Sequence, residues 1–263
     1  MVNVSSEPGA DKPEEMLYSD AKWNLGTWSH AVMIELEYTA GSPFARAVRV
    51  LLHELRLDYV GREPESAPTP KQLGADTPTM QVPTLRDGNV VLWESGVIAE
   101  YLLHKSSSRL GEAPRLAAEL WRPTHEWEDK LLFGTVQTFG TSVTTISQLT
   151  WTGVTVRDNP HLQRCAERAN LILNWLESRL PDDKHGFLPD TLSAQDIFLA
   201  CHIRFVQAGP LSLDLDLGRL PKCNSLLERL DQRSSFIANP ILWWDPDVVG
   251  YFADGVPFYE GEG

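Results

Sequence analysis

Ser42-Pro43-Phe44-Ala45-Arg46 opens the stretch on which the reading of this chain turns. Pro43 suits the first turn of a helix, where its missing N–H costs nothing, and Ser42 before it is a favoured N-cap. Phe44, Val48, Leu51, Leu52 and Leu55 then fall on one apolar stripe, which predicts an amphipathic helix over 43–57. On its N-terminal side, Met33 to Tyr38 alternates Ile34, Leu36 and Tyr38 with Glu35 and Glu37, the period of a strand. On its C-terminal side, Leu57-Asp58-Tyr59-Val60 suits a second short strand.

Further along, Gln81-Val82-Pro83-Thr84-Leu85 leads into two strand-like runs, Pro83–Arg86 and Val90–Trp93, with Asp87-Gly88 between them as a hairpin signal. Trp93-Glu94-Ser95-Gly96 then starts a helix over Ser95–His104. Residues 33–104 thus read as strand, helix, strand, short helix, hairpin, helix. The polar, Ser-rich stretch Lys105–Pro114 reads as a linker.

Beyond it the pattern is helical only. Leu162, Ala166, Ala169, Leu173, Leu176 and Leu180 step by threes and fours, and residues 194–207 form a more apolar helix. Ser193-Ala194-Gln195-Asp196 precedes that helix with capping-box spacing, so its role reads as structural. The expected organisation is an extension over 1–31, an α/β domain over 32–107, an all-helical domain over 115–240 and an aromatic tail over 241–263.

The chain has 263 residues, is 42% hydrophobic and carries a net charge of -13. That charge argues against a nucleic-acid or anionic-membrane partner. No apolar stretch is long enough to span a bilayer, and no secretory signal is evident. Cys165, Cys201 and Cys223 form no CxxC pair and fit a reducing compartment, so cytoplasm is the expected location. His53-Glu54 lacks the second histidine of a zinc-protease helix. His125 with Glu128 or Asp129 has helical ligand spacing but too few groups, so no metal is expected. No glycine-rich phosphate loop is present.

The three segments around Ser42, Val82-Pro83 and Glu94-Ser95, taken in this order and spacing, resemble the soluble glutathione S-transferases over roughly residues 33–240. The Ser-Pro-Phe start is most similar to the serine-type bacterial and plant classes; omega-type members carry Cys-Pro-Phe there. The resemblance implies a thioredoxin-like domain followed by an all-helical one, glutathione as co-substrate, a hydrophobic electrophile as second substrate, and a homodimer.

It also implies roles. Ser42 would donate its hydroxyl to the glutathione sulfur at a helix N-terminus; Ser-Pro alone reads as a plain helix cap, and the catalytic role comes with Val82-Pro83 and Glu94-Ser95 downstream at family spacing. Tyr38, at the end of the first strand, is the rival activator. Phe44 belongs to the same motif. Val82-Pro83 would be a cis step offering the Val82 backbone to an extended peptide. Glu94 would pair the γ-glutamyl ammonium, and Ser95 its carboxylate. Gln81, with Lys71, would reach the glycine end. Trp121, Trp127, Phe133, Phe139 and Trp151 are candidates for the electrophile pocket, with Gly134–Gly153 as a looser lining segment. Ether cleavage or peroxide reduction on the same thiol, or a non-catalytic binding protein of this fold, are the competing readings.

Overall fold

The structure is a computed structural model, and it describes residues 33–63, 77–107, 120–182, 186–189, 191–209, 211, 213–242 and the backbone of 248–251 and 257–259. The extension over 1–31, the short helix expected before the hairpin, Lys71 and residues 108–119 lie outside the described residues.

The described chain opens with β1 (Ile34–Glu37), α1 (Pro43–Glu54) and β2 (Tyr59–Arg62). The hairpin β3 (Thr84–Asp87) and β4 (Val90–Leu92) follows, then α2 (Ser95–Ser107). The sheet order is β2-β1-β3-β4, with β1 parallel to β2 and antiparallel to β3. This is a thioredoxin-like arrangement. Leu36 faces Leu85 across β1 and β3, both fully buried. In the hairpin Asp87 pairs Val90, so the two-residue loop is Gly88-Asn89, one residue later than the dipeptide that signals it. Gly88 takes φ 62, the conformation glycine adopts without steric cost. Asp87 is buried and accepts from the Tyr101 hydroxyl at 2.8 Å and from Lys105, which ties α2 to the hairpin.

β2 starts two residues later than its apolar run suggests because α1 ends in a Schellman motif. The Arg56 N–H donates to His53 O at 3.0 Å, and the Leu57 N–H to Leu52 O at 3.0 Å. Arg56 takes φ 52 to make that turn, and Leu57 is buried beneath it. The motif thus consumes the residues that alternation alone assigns to the strand.

The helical half comprises α3 (Glu126–Thr150), α4 (Pro160–Arg179), α5 (Ala194–Ala208), α6 (Pro221–Asp231) and the short α7 (Ser234–Ile237). A backbone ribbon of β5 (Val248–Tyr251) and β6 (Pro257–Tyr259) lies in the tail. No helix among the described residues is long and apolar enough to cross a membrane.

α1 packs against α2 on one side and against α5 and α7 on the other. Every residue from Ala45 to Leu52 is therefore buried, two arginines included. Arg46 Nε donates to Asn239 O at 2.8 Å, and its guanidinium lies 5.3 Å from the centre of the Phe236 ring. Glu54 accepts from Arg233 Nε and Nη2, both at 2.7 Å, and from the Ser235 hydroxyl at 2.5 Å. Burial opposes the Glu54 charge, and the Arg233 and Ser235 donors outweigh it, holding the carboxyl below its ordinary range. Each fully buried Val or Leu of α1 contributes on the order of 1.5–3 kcal/mol of transfer free energy.

α5 starts from the capping box read in the sequence. The Ser193 N–H and O–H donate to Asp196 Oδ2 at 2.8 and 2.6 Å, and the Asp196 N–H donates to Ser193 Oγ at 3.3 Å. The Phe187 N–H donates to Asp196 Oδ1 at 2.9 Å, so the same carboxylate also anchors the preceding loop. Gly186 abuts that carboxylate so closely that a Cβ would overlap it. Asp196→Ala is expected to lower stability by about 3 kcal/mol, because it removes a cap and strands two buried N–H groups. Thermal and urea unfolding check this; a variant melting with the parent protein contradicts it.

Candidate functional site

α1 delivers its N-terminus to a cleft between the sheet half and α3. Ser42 has φ -80 and ψ 118, extended as an N-cap requires, and its Oγ accepts the Ala45 N–H at 3.2 Å. Its hydroxyl proton donates to no described group, and the residue lines the cleft. With Pro43 lacking an N–H and the Ala45 and Arg46 N–H groups taken by Ser42, the helix presents one free N–H, that of Phe44, and one uncommitted hydroxyl at the same place.

The Val82-Pro83 bond is cis, and both residues line the cleft beside Gln81. Among the described residues none hydrogen-bonds the Val82 N–H or C=O, so both backbone groups are available to an extended ligand. On the third side, Glu94 has φ 64, and its carbonyl accepts the Ile98 N–H at 3.0 Å. That left-handed turn starts α2 so that Ser95 and Gly96 also line the cleft. Gln137 of α3 donates from Nε2 to Ser95 Oγ at 3.3 Å. With one lone pair so engaged, the Ser95 hydroxyl proton is left to donate elsewhere.

The cleft has a volume of about 780 Å³ and gathers Ser42, Phe44, Gln81, Val82, Pro83, Glu94 and Ser95 on one surface. Tyr38 is not part of it. The Arg49 guanidinium lies 4.6 Å from the centre of the Tyr38 ring, and the ring edge meets β2 at Gly61.

The aromatic candidates divide. Trp121, Phe133 and Trp151 line the cleft. Phe139 does not; it is fully buried, its ring 6.4 Å from that of His202. Trp127 does not either; it is 77% exposed and lies beside the Lys130 ammonium. The segment Gly134–Gly153 is a continuous helix through Thr150 rather than a loose lining. Its threonines are tolerated because their hydroxyls bond back to the preceding turn, as Thr138 does to Gly134 O at 2.8 Å.

The Gly134–Gly153 segment does line the cleft, through Gln137, Thr141, Thr144, Thr145 and Gln148, which the sequence does not single out within it; Phe205 is a lining residue outside every expected segment. The α3 members recur every three or four residues, a signal visible only when a polar stripe is sought as carefully as an apolar one. Asp129 is taken up by Arg122 at 2.8 Å, and His125 contacts Thr124 at 2.9 Å. No group of three or more metal-ligating side chains occurs among the described residues. All three cysteines are buried and free.

Behind Phe44 sits His202 of α5, fully buried, with ring centres 4.6 Å apart. Neither of its ring nitrogens has a hydrogen-bond partner. α3 makes room for the imidazole with Gly140, where a Cβ would stand 2.5 Å from Nε2. Burial pushes this imidazole down to about 3.

Comparison with known proteins places the fold in a family. The family model for the N-terminal domain of glutathione S-transferases matches residues 36–110, and the model for the C-terminal domain matches residues 159–229. The chain belongs, in both halves, to the glutathione S-transferase family. No curated protein matches it. Among solved structures, it is similar to a glutathione S-transferase of Methylobacillus flagellatus with glutathione bound, at 18% identity and TM-score 0.64, covering 78% of this chain and 98% of that one. A glutathione S-transferase of Methylobacterium radiotolerans in complex with glutathione sulfonate is 21% identical with TM-score 0.64, covering 79% and 94%. A family member from Pseudomonas fluorescens with two glutathiones bound is 19% identical with TM-score 0.62, covering 81% and 94%.

The unfolded chain protonates His202 near its ordinary value of 6.5, whereas the folded chain binds that proton only near 3. Stability is therefore lost as pH falls through this window. Between pH ~6 and ~4.5 the slope of unfolding free energy should exceed that of His202→Leu by up to about 1.4 kcal/mol per pH unit. Urea titrations at stepped pH check it, and parallel slopes for the two proteins contradict it.

Proposed function

We propose that this protein is a glutathione transferase of the serine type. Its thiol site would be formed by Ser42, the Val82 backbone and the N-terminus of α2, and the electrophile would enter the same cleft beside α3. The observation that carries this reading is the convergence on one cleft of three chain segments whose chemistry fits the three parts of a γ-glutamyl-cysteinyl-glycine peptide. The bound glutathione in the similar proteins supports it.

Glu94 is an acceptor for the γ-glutamyl ammonium. Ser95 and the Gly96 N–H, at a helix N-terminus, suit the carboxylate beside it. The cysteinyl backbone pairs with the Val82 N–H and C=O as an added strand does. Phe44 covers the α1 end of the site, and Gln81 reaches toward the glycine end. The sulfur then lies by Ser42. A free thiol titrates near ~8.5, so about 3% is thiolate at neutral pH. Lowering that value by about two units requires about 2.7 kcal/mol of preferential stabilisation. The Ser42 O–H and the α1 N-terminus are donors of that capacity. The thiolate attacks an electrophilic carbon, forming the S–C bond as the leaving group departs with its electron pair. The thiol proton has already gone to solvent.

Ser42→Ala is expected to leave glutathione bound but to raise its thiol pKa by about one to two units, cutting turnover at neutral pH roughly tenfold or more. Thiolate ultraviolet absorbance of the complex against pH reads this directly. An unshifted thiol in the parent protein points to binding without activation. An unchanged pKa in Ser42→Ala removes the role given to Ser42.

A homodimer is part of the same proposal. Trp127 and Leu131, one turn apart on α3, are 77% and 62% exposed, which supports burial against a second copy. Sedimentation equilibrium should return twice the chain mass of 29.5 kDa; a monomer at micromolar concentration refutes it.

A further inference from the structure

The face that α3 turns to the cleft carries a chemistry that the thiol site does not use in full. Gln137, Thr141, Thr144, Thr145 and Gln148 lie at helical spacing, all line the cleft, and none is charged. The threonine hydroxyl protons are committed to the helix itself. Thr141 O–H donates to Gln137 O at 3.1 Å, Thr144 O–H to Gly140 O at 2.9 Å, and Thr145 O–H to Thr141 O at 2.8 Å. A hydroxyl that donates backward keeps its lone pairs for the cleft. Gln137 spends Nε2 on Ser95, and its Oε1 is buried with no hydrogen-bond partner. A buried acceptor left unmade costs free energy that a donor would recover.

The part of the stripe from Gln137 Oε1 to Thr145 is thus a column of acceptors, with the Gln148 amide at its far end able to donate or accept. The apolar lining around it includes Phe44, Val82, Pro83, Phe205 and Trp151, surfaces suited to a flat ring. Glu94 and Glu100 are the lining carboxylates. Lys130, which also lines the cleft, is paired with Glu126 and stands 4.2 Å from the centre of the Trp121 ring. These surroundings disfavour an anionic second substrate.

We propose that the second substrate of this cleft is a neutral aromatic molecule bearing a phenolic hydroxyl, whose O–H donates to the Thr144–Thr145 part of the acceptor stripe while its ring packs on the apolar lining. This deepens the transferase reading and rests on it for the identity of the thiol partner. The acceptor chemistry itself is independent of turnover. A site built to accept a hydrogen bond discriminates against an analogue that lacks the donor more strongly than an apolar pocket discriminates by size.

The test uses the full chain and two unreactive probes, para-hydroxybiphenyl and its methyl ether, with binding read by quenching of tryptophan fluorescence, both with and without glutathione. The ether is the more apolar probe, so transfer alone favours it. The phenol is nevertheless expected to bind about fivefold tighter. In the double variant Thr144→Val/Thr145→Val the phenol's advantage should be lost and the ratio fall to one or below, with the affinity for the ether not reduced. Thr145→Ser, which retains a hydroxyl, should keep most of the preference. The proposal is overturned if the ether binds as tightly as the phenol, if the preference survives the double variant, or if neither probe binds. Should the double variant fail to fold, Thr145→Val alone reads the same ratio. Retention on immobilised glutathione is measured beside it; its loss removes the thiol-site reading and leaves the biphenyl ratio to decide this one.

Discussion

The enclosure of α1 is the constraint on which the rest of the structure depends. A helix packed on opposite sides has no freedom to rotate or slide, so the direction of its N-terminus is fixed by the whole core. Val48, Leu51 and Leu52 have no exposure at all. A one-residue slip would drive the Arg46 side chain into an Ala position and that of Arg49 into a Val position, at a desolvation cost that no described partner offsets. The proposed thiol site would need this rigidity. Donors that stabilise a thiolate act only if they are already oriented when the sulfur arrives. Arg49 shows how far the constraint reaches. Its Nε and Nη2 are buried without hydrogen-bond partners, and the Tyr38 ring faces its charge. That contact holds Tyr38 away from the cleft and leaves the N-terminus of α1 to Ser42.

The two halves are joined through the same helix. Asn239 and Arg233, from either side of α7, hold Arg46 and Glu54 near opposite ends of α1. Gln137 reaches from α3 to Ser95 at the start of α2. A cleft between halves keeps its geometry only if both walls refer to a common element, and α1 is that element. His202 completes the connection. Its neutral ring fills the space between Phe44 and Gly140, where a charged or larger group would separate the helices.

Much of this was legible in the sequence because the elements carrying it announce themselves locally. Ser42-Pro43, Asp87-Gly88 and Ser193-x-x-Asp196 are backbone signals whose physics is complete within four residues; the first and last start their helices where expected, and the second marks its hairpin one residue early. The misplacements come from non-local causes. The start of β2 was missed because Arg56, not a glycine, takes the left-handed turn. Phe139 and Trp127 sit on the same helix as the lining residues, so composition could not say that one would face α5 and the other solvent. The threonine-rich segment reads as loose by intrinsic propensity, yet it folds as α3, with its inner face packed by Val136, Val143 and Ile146. Tertiary burial outweighed propensity there and set the polar stripe toward the cleft.

A division of labour follows from these origins. The proposed thiol site combines a few side chains, Ser42, Glu94 and Ser95, with backbone groups: helix N-termini, a cis step and a left-handed turn. Side-chain substitution alters the backbone groups little, because they belong to the fold. The wall beside it is made of α3 side chains on a helix whose register the opposite, apolar face already fixes. Substitutions on that polar stripe leave the core untouched, since Thr141 and Gln148 are exposed and Thr144 and Thr145 half-buried. On the transferase reading, the choice of second substrate would change with little effect on the thiol chemistry, and the uncharged stripe is one part of this chain, beside Glu94, Glu100 and Lys130, that distinguishes its cleft from a purely apolar one.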